Sequence, residues 1–116
     1  MNVRDVYDYM KADYEDVISR LPREESIAKF LRMFQKNEDY AKMVQGIEAK
    51  DYALVFSSSH NLKGMCGNLS LTTLAKSSSE ICEATRHGEP EIDLQPLLEQ
   101  AKFDYELIME GIDLLD

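Results

Sequence analysis

Hydrophobic residues recur along this chain at the spacing of an amphipathic helix, in five successive segments. The predicted helices cover residues 3–19, 24–49, 52–69, 71–87 and 93 to the end. Pro22 ends the first, and a polar stretch around Asn37 marks a place where the second can bend or break. No segment alternates between polar and apolar residues as a half-buried strand does. The pattern therefore predicts an all-α protein.

Signals at the helix ends support these boundaries. The Asp51 carboxylate can accept hydrogen bonds from the free N–H groups at the start of the third helix. Gly88 suits the position that ends the fourth helix, and Pro96 suits the opening turn of the fifth. Because the connections are short, sequential helices are expected to be antiparallel neighbours. We expect an up-down antiparallel four-helix bundle with a core of about residues 24–116, and an additional N-terminal helix packed across one end or side.

Length, apolar runs and charge limit the size, compartment and partners of the protein. We expect the 116 residues to form one domain over 1–116, and we expect a monomer. No apolar run approaches the ~20 residues of a membrane span, and the N-terminus lacks the basic and then apolar pattern of a signal peptide. We therefore expect a cytoplasmic protein without a membrane partner. The net charge of -9 argues against nucleic acid, because lysine and arginine drive binding to phosphate backbones.

The positions of cysteine and histidine predict no metal site. Cys66 and Cys82 are expected on adjacent antiparallel helices, offset by about 12 Å along the axis. This offset exceeds the ~7 Å between Cα atoms that a disulfide allows, so we expect two free thiols. His60 and His87 are too far apart to join them in a ligand cluster, and His87 is interpreted as a cation at a helix end.

The third predicted helix has two contrasting faces. At 100° per residue, one face carries Ala53, Phe56, His60, Lys63, Gly64 and Gly67, and the other carries Val55, Ser58, Leu62, Met65, Cys66 and Leu69. A glycine in a helix interior costs roughly 1 kcal/mol relative to alanine. Two glycines beside His60 therefore indicate close packing or the close approach of another molecule.

His60 has neighbours that suit a nucleophile. A histidine ring is largely neutral near pH 7 and offers an unprotonated nitrogen. Lys63 lies one turn further along the same face, where it can stabilise the oxygens of an incoming phosphoryl group. Geometry alone leaves open that both are solvated residues without a role. Phe56, one turn before His60, is either an exposed contact for a partner or packs against the next helix.

The residues Ser59-His60-Asn61-Leu62-Lys63-Gly64, followed by Gly67-Asn68-Leu69, resemble the signature of histidine-containing phosphotransfer (HPt) domains. These are small helical bundles that relay phosphoryl groups in two-component signalling. The resemblance is strongest from residue 53 to about residue 83. One departure is Ser70, where the family commonly has glycine, a residue that tolerates the left-handed conformation of a turn more easily.

The resemblance implies that His60 accepts a phosphoryl group from a receiver-domain aspartate and passes it to another receiver, while Lys63 stabilises the phosphate. It implies that Phe56, Gly64 and Gly67 contact the partner. The implied partners are response-regulator receiver domains, with a hybrid histidine kinase as a further candidate. The protein would then be a phosphocarrier without an ATP site or a cofactor of its own, and magnesium would be held by the partner receiver.

Two alternatives from other classes remain open. A non-catalytic helical adaptor could bind a receiver or kinase domain through Phe56, Gly64 and Gly67, and formation of phosphohistidine separates this function from a phosphocarrier. A histidine kinase fragment that uses ATP itself is disfavoured because no glycine-rich phosphate loop follows a strand.

Overall fold

The computed structural model describes all 116 residues, and its regular structure is entirely helical. Its helices are α1 (Val3–Tyr9), α2 (Tyr14–Arg20), α3 (Glu24–Gln35), α4 (Asp39–Ala49), α5 (Tyr52–Asn68), α6 (Thr72–Ala84) and α7 (Gln95–Asp113). The predicted all-α class is confirmed. None of these helices combines the length and the apolar character that a membrane crossing requires.

The helices α4 to α7 form the predicted up-down antiparallel bundle. α5 packs against α4 on one side and α6 on the other, and α6 in turn packs against α7. The rings of Tyr40 on α4 and Tyr105 on α7 stack with their centroids 3.7 Å apart and their planes 4° apart. This stack joins the first and last helices of the bundle.

The first predicted helix is in fact two helices. Lys11 adopts the left-handed conformation with φ of 56°, and α1 has ended before it. Asp13 then begins α2, because its side chain accepts a hydrogen bond from the backbone N–H of Asp16 at 3.0 Å. Apolar residues keep a helical spacing on both sides of this break, because Val6 before it and Val17 after it are buried in the same core.

The second predicted helix also divides, at the polar stretch that the sequence indicated. α3 ends at Gln35 and α4 begins at Asp39. Between them, the side-chain oxygen of Asn37 accepts a hydrogen bond from the backbone N–H of Asp39 at 2.8 Å. A short polar side chain thus offers the backbone an alternative to continuing the helix.

The fourth predicted helix ends earlier than residue 87. The Thr85 hydroxyl donates to the carbonyl of Ile81 at 3.0 Å, and the chain leaves the helix after Ala84. Gly88 takes a positive φ of 97°, as expected for the residue that completes the turn. Arg86 therefore lies in the turns after α6.

The core is one cluster of 20 buried residues that receives side chains from both the bundle and the N-terminal helices. α1 contributes Val3, Val6 and Tyr7, and α2 contributes Val17. Cys66 and Cys82 are buried and unbonded. The N-terminal helices are thus an integral part of the hydrophobic core.

The end of α5 is closed by a Schellman motif centred on Ser70. The backbone N–H of Leu71 donates to the carbonyl of Cys66 at 2.8 Å, and that of Ser70 donates to the carbonyl of Gly67 at 3.2 Å. Ser70 adopts φ of 56°, the left-handed conformation that usually favours glycine. The turn predicted at this position therefore forms without glycine.

The carbonyl groups at the end of α5 have no partner within that helix. Hydrogen-bond donors from α1, from α2 and from the segment between them satisfy these groups. Burial raises the pKa of the Tyr7 hydroxyl, which keeps it protonated as a donor. Arg20 Nη2 donates to the Gly67 and Asn68 carbonyl oxygens, both at 3.0 Å. The Tyr7 hydroxyl donates to the Leu69 carbonyl oxygen at 2.8 Å, and the Asp13 N–H donates to the Ser70 carbonyl oxygen at 3.1 Å.

The Ser70 side chain joins this network and explains why serine is tolerated there. Its hydroxyl donates to Asp16 Oδ2 at 2.7 Å and accepts from Arg20 Nη2 at 2.7 Å. Asp16 and Arg20 are also an ion pair at 2.8 Å. The hydrogen bond from Ser70, and next the one from Arg20, hold the pKa of the Asp16 carboxyl below its usual range. These bonds offset the strain of the left-handed serine.

We predict that Ser70→Ala lowers the free energy of unfolding by about 1–2 kcal/mol, because alanine keeps the left-handed strain and loses both hydrogen bonds. Ser57→Ala is the control, since the exposed Ser57 hydroxyl bonds only to the Leu54 carbonyl at 3.2 Å. Denaturant unfolding of the three proteins provides the measurement. Equal stability of the two variants would contradict a stabilising role for the Ser70 network.

Candidate functional site

α5 places His60 at its centre and on its solvent side. His60, Gly64 and Gly67 are exposed, and Phe56 and Lys63 are half-buried. The opposite face is buried, with Val55, Ser58, Leu62, Cys66 and Leu69 in the interior. The two faces predicted from helical periodicity are therefore observed.

Small serine side chains let α5 and α6 approach closely beneath the His60 face. Ser58 and Ser59 on α5, and Ser77 and Ser78 on α6, are buried. Their hydroxyls donate to carbonyls of the preceding turn, such as Ser58 to Leu54 at 2.6 Å. These polar groups are thus satisfied within their own helices and leave the helix surfaces free to pack.

Gly64 and Gly67 face open space. No heavy atom lies within 4 Å of the position that a Cβ atom would take at either residue, apart from α5 itself and its chain neighbours. Gly46 differs, since a Cβ there would lie 2.9 Å from Val55 Cγ2. Of the two explanations that the sequence left open for Gly64 and Gly67, close packing inside this chain does not apply. Approach by another molecule remains.

The Phe56 ring has two polar neighbours beside the site. Its centroid is 6.1 Å from that of the His60 imidazole, with 22° between the ring planes. The Arg86 guanidinium carbon lies over the same ring, 5.5 Å from its centroid. Phe56 is thus both half-exposed and in contact with the neighbouring element, which combines the two alternatives given for it.

Arg86 is held by a bidentate ion pair with Glu83. Its Nη2 atom lies 2.6 Å from Glu83 Oε1, and its Nε atom donates to Glu83 Oε2 at 3.2 Å. The hydrogen bond from Arg86 lowers the pKa of the Glu83 carboxyl, and the charges of Arg86, Lys63 and His87 act in the same direction. Glu83 is therefore the carboxylate that faces the cations beside His60.

Sequence analysis missed Glu83 and Arg86 as members of this site. No local spacing relates residues on α6 and its following turn to residues on α5. The fourth helix was predicted over residues 71–87, which placed Arg86 inside a helix, whereas Arg86 lies in the turns that follow α6. The level at which Arg86 meets Phe56 depends on how the two helices pack, which the sequence pattern does not specify.

A cleft of about 540 Å³ opens beside the C-terminal end of α5. Phe30 and Met33 of α3 line it together with Met65 and Asn68 of α5, and Met33 is 56% exposed. The sequence analysis missed this cleft as well, because apolar residues at helical spacing were interpreted as core. The cleft thus opens between α3 and the Met65 side of α5, away from the face that carries His60.

No three histidine, cysteine or acidic side chains are grouped so that they could hold a metal ion. The chemistry that the chain itself offers at this face consists of the His60 imidazole, the Lys63 ammonium one turn away and the Arg86 guanidinium over the Phe56 ring. Such an arrangement can bind a phosphoryl group through its cations and present a nitrogen nucleophile to it.

Comparison with known protein families agrees with the resemblance seen in the motif around His60. The Hpt domain family model matches residues 29–111. No curated protein and no solved structure matches the chain in the corresponding comparisons. Hpt domains transfer phosphoryl groups through a histidine in phosphorelays and interact with receiver domains and kinases. A match over residues 29–111 shows that this chain belongs to the Hpt domain family.

Proposed function

We propose that His60 accepts a phosphoryl group from the phosphorylated aspartate of a receiver domain and passes it to another receiver. The observation that carries this proposal is the open surface around His60. The ring is exposed at the centre of α5, and Gly64 and Gly67 leave empty space where side chains would otherwise stand. A second protein can therefore bring a phosphorylated side chain up to the imidazole.

The transfer is a substitution at phosphorus. The lone pair of the unprotonated imidazole nitrogen forms the N–P bond while the bond between phosphorus and the aspartyl oxygen breaks. The electron pair of the broken bond leaves with the carboxylate. The phosphorylated ring gains a positive charge, which it loses when its remaining ring proton passes to solvent. The reverse sequence delivers the phosphoryl group to the next receiver.

Lys63 is proposed to stabilise the phosphoryl oxygens during this transfer. It lies one turn from His60 on the same face, and its ammonium group has no ion-pair partner within the chain. Phe56, Gly64 and Gly67 are proposed to contact the receiver. In this proposal the receiver holds the magnesium ion, and the protein acts as a cytoplasmic monomer without catalytic machinery of its own.

The first test is the site of phosphorylation. We predict that a phosphorylated receiver labels this protein on one residue, with the acid lability and alkali stability of a phosphoramidate. His60→Gln should abolish the label, because glutamine lacks the nucleophilic nitrogen, and His87→Gln should retain it as the control. Label that persists in His60→Gln would contradict the phosphocarrier function. A receiver that binds but never labels the protein would instead support the adaptor alternative.

We predict that Lys63→Ala keeps the fold and slows phosphoryl acceptance or shortens the lifetime of the phosphohistidine. Loss of one charge-assisted contact corresponds to about 1.5–3 kcal/mol, or roughly tenfold to hundredfold in rate. Lys76→Ala, on the exposed side of α6, is the control. Transfer kinetics that match the wild type would show Lys63 to be a solvated surface charge.

The glycines allow a test of the docking face. We predict that Gly67→Ala raises the free energy of unfolding by up to ~1 kcal/mol through helix propensity, since nothing obstructs a Cβ atom there. Gly46→Ala should destabilise the protein, because its Cβ would meet Val55. Melting temperatures of the two variants compare an open glycine with a packed one.

The bulkier Gly67→Gln should then fold and still accept phosphate from a small donor, but not from the receiver. The measurements are melting temperature, receiver affinity and labelling by phosphoramidate. Normal transfer from the receiver to this variant, or failure of the variant to fold, would show that the docking face lies elsewhere on the helix.

A further inference from the structure

We infer that Glu83 is a positioning residue, which holds the Arg86 guanidinium beside the Phe56 ring while His60 is unmodified and yields it to the phosphoryl group once His60 carries one. This inference rests on the proposed function of His60. It assigns Glu83 the task of limiting how strongly the phosphohistidine is stabilised. A phosphoryl group held less tightly passes more readily to the next acceptor.

Arg86 binds one anion, Glu83, and lies over the ring that neighbours His60, where the phosphoryl group would be a second. Its guanidinium makes both hydrogen bonds to Glu83, at 2.6 and 3.2 Å. The same group lies over the Phe56 ring, whose other neighbour is the His60 imidazole. Phe56 is therefore a neighbour of both groups. It keeps the Arg86 guanidinium near the His60 imidazole without a direct contact between the two. The planar guanidinium binds phosphate and carboxylate oxygens with the same paired geometry.

The Glu83–Arg86 pair is not needed to hold the fold together. Both side chains are substantially exposed, at 57% and 44%, and such surface pairs contribute little to stability. Arg86 lies in a turn beyond the end of α6, where its backbone is not fixed by helical hydrogen bonds on both sides. The side chain can thus exchange partners without disturbing the core.

A phosphoryl group on His60 changes the balance of charge at this face. It brings up to two negative charges, against one on Glu83, to a surface where Lys63 and Arg86 are the cations. The hydrogen bond from Arg86 holds the pKa of the Glu83 carboxyl below its usual range. Glu83 is therefore ionised near neutral pH. It competes with the phosphoryl group for Arg86.

The test compares Glu83→Gln with Glu80→Gln. Glu80 is an exposed carboxylate one turn earlier on α6 and has no ion-pair partner, so it matches Glu83 in charge but not in contacts. His60 is phosphorylated with phosphoramidate, which loses ammonia as the N–P bond to the ring forms. The half-life of the phosphohistidine against hydrolysis is then followed, and melting temperatures verify the fold.

We expect Glu83→Gln to lengthen the half-life about three- to fivefold, the effect of one surface charge interaction, and Glu80→Gln to leave it unchanged. In an Arg86→Gln background, Glu83→Gln should have no further effect. Equal half-lives for the Glu83 and Glu80 variants would overturn the inference, as would an equal effect of Glu83→Gln with and without Arg86.

These outcomes separate the inference from the function on which it rests. Wild-type protein that takes no label on His60 from phosphoramidate or from a phosphorylated receiver would refute the proposed function, and the inference with it. Label on His60 with the same lifetime in every Glu83 variant would refute the inference alone.

Discussion

The helix that carries the acceptor face depends on hydrogen bonds supplied by a separate part of the chain. Every α-helix ends in carbonyl groups that its own backbone cannot satisfy. At the end of α5, these groups are bonded by the Arg20 side chain, the Tyr7 hydroxyl and the backbone of Asp13. The N-terminal helices therefore act as a cap for α5. This contact fixes the end of α5 without covering the face that holds His60.

The bundle contains two kinds of glycine, which differ in what a Cβ atom would meet. Gly46 lies where α4 meets the start of α5, and a side chain there would collide with Val55. Gly64 and Gly67 lie on the outer surface of α5, where nothing in the chain opposes them. The first kind lets two helices of one protein approach each other. The second keeps the surface low enough for a different protein to approach the imidazole.

Periodicity predicted the helical class, the bundle and the two faces of α5, because burial repeats every three to four residues along each helix. It did not predict the break at Lys11 or the end of α6 at Ala84, because these depend on a left-handed residue and on the Thr85 hydroxyl. It also missed Glu83 and Arg86, because their position relative to His60 depends on how α6 is aligned along α5 when the two helices pack. The acceptor motif, by contrast, lies within one helix, where spacing in the sequence determines spacing on the surface.

Because of the cap at the end of α5, the segment that matches the family and the segment that folds as one unit have different boundaries. The family match begins at residue 29, after both helices that supply the cap. An excision that followed the match would remove Tyr7, Asp13 and Arg20, together with the core side chains of α1 and α2. It would keep every residue of the acceptor motif and leave the carbonyl groups of Asn68, Leu69 and Ser70 without their partners in the chain. For this protein, the segment with the least resemblance to its family supports the segment with the most.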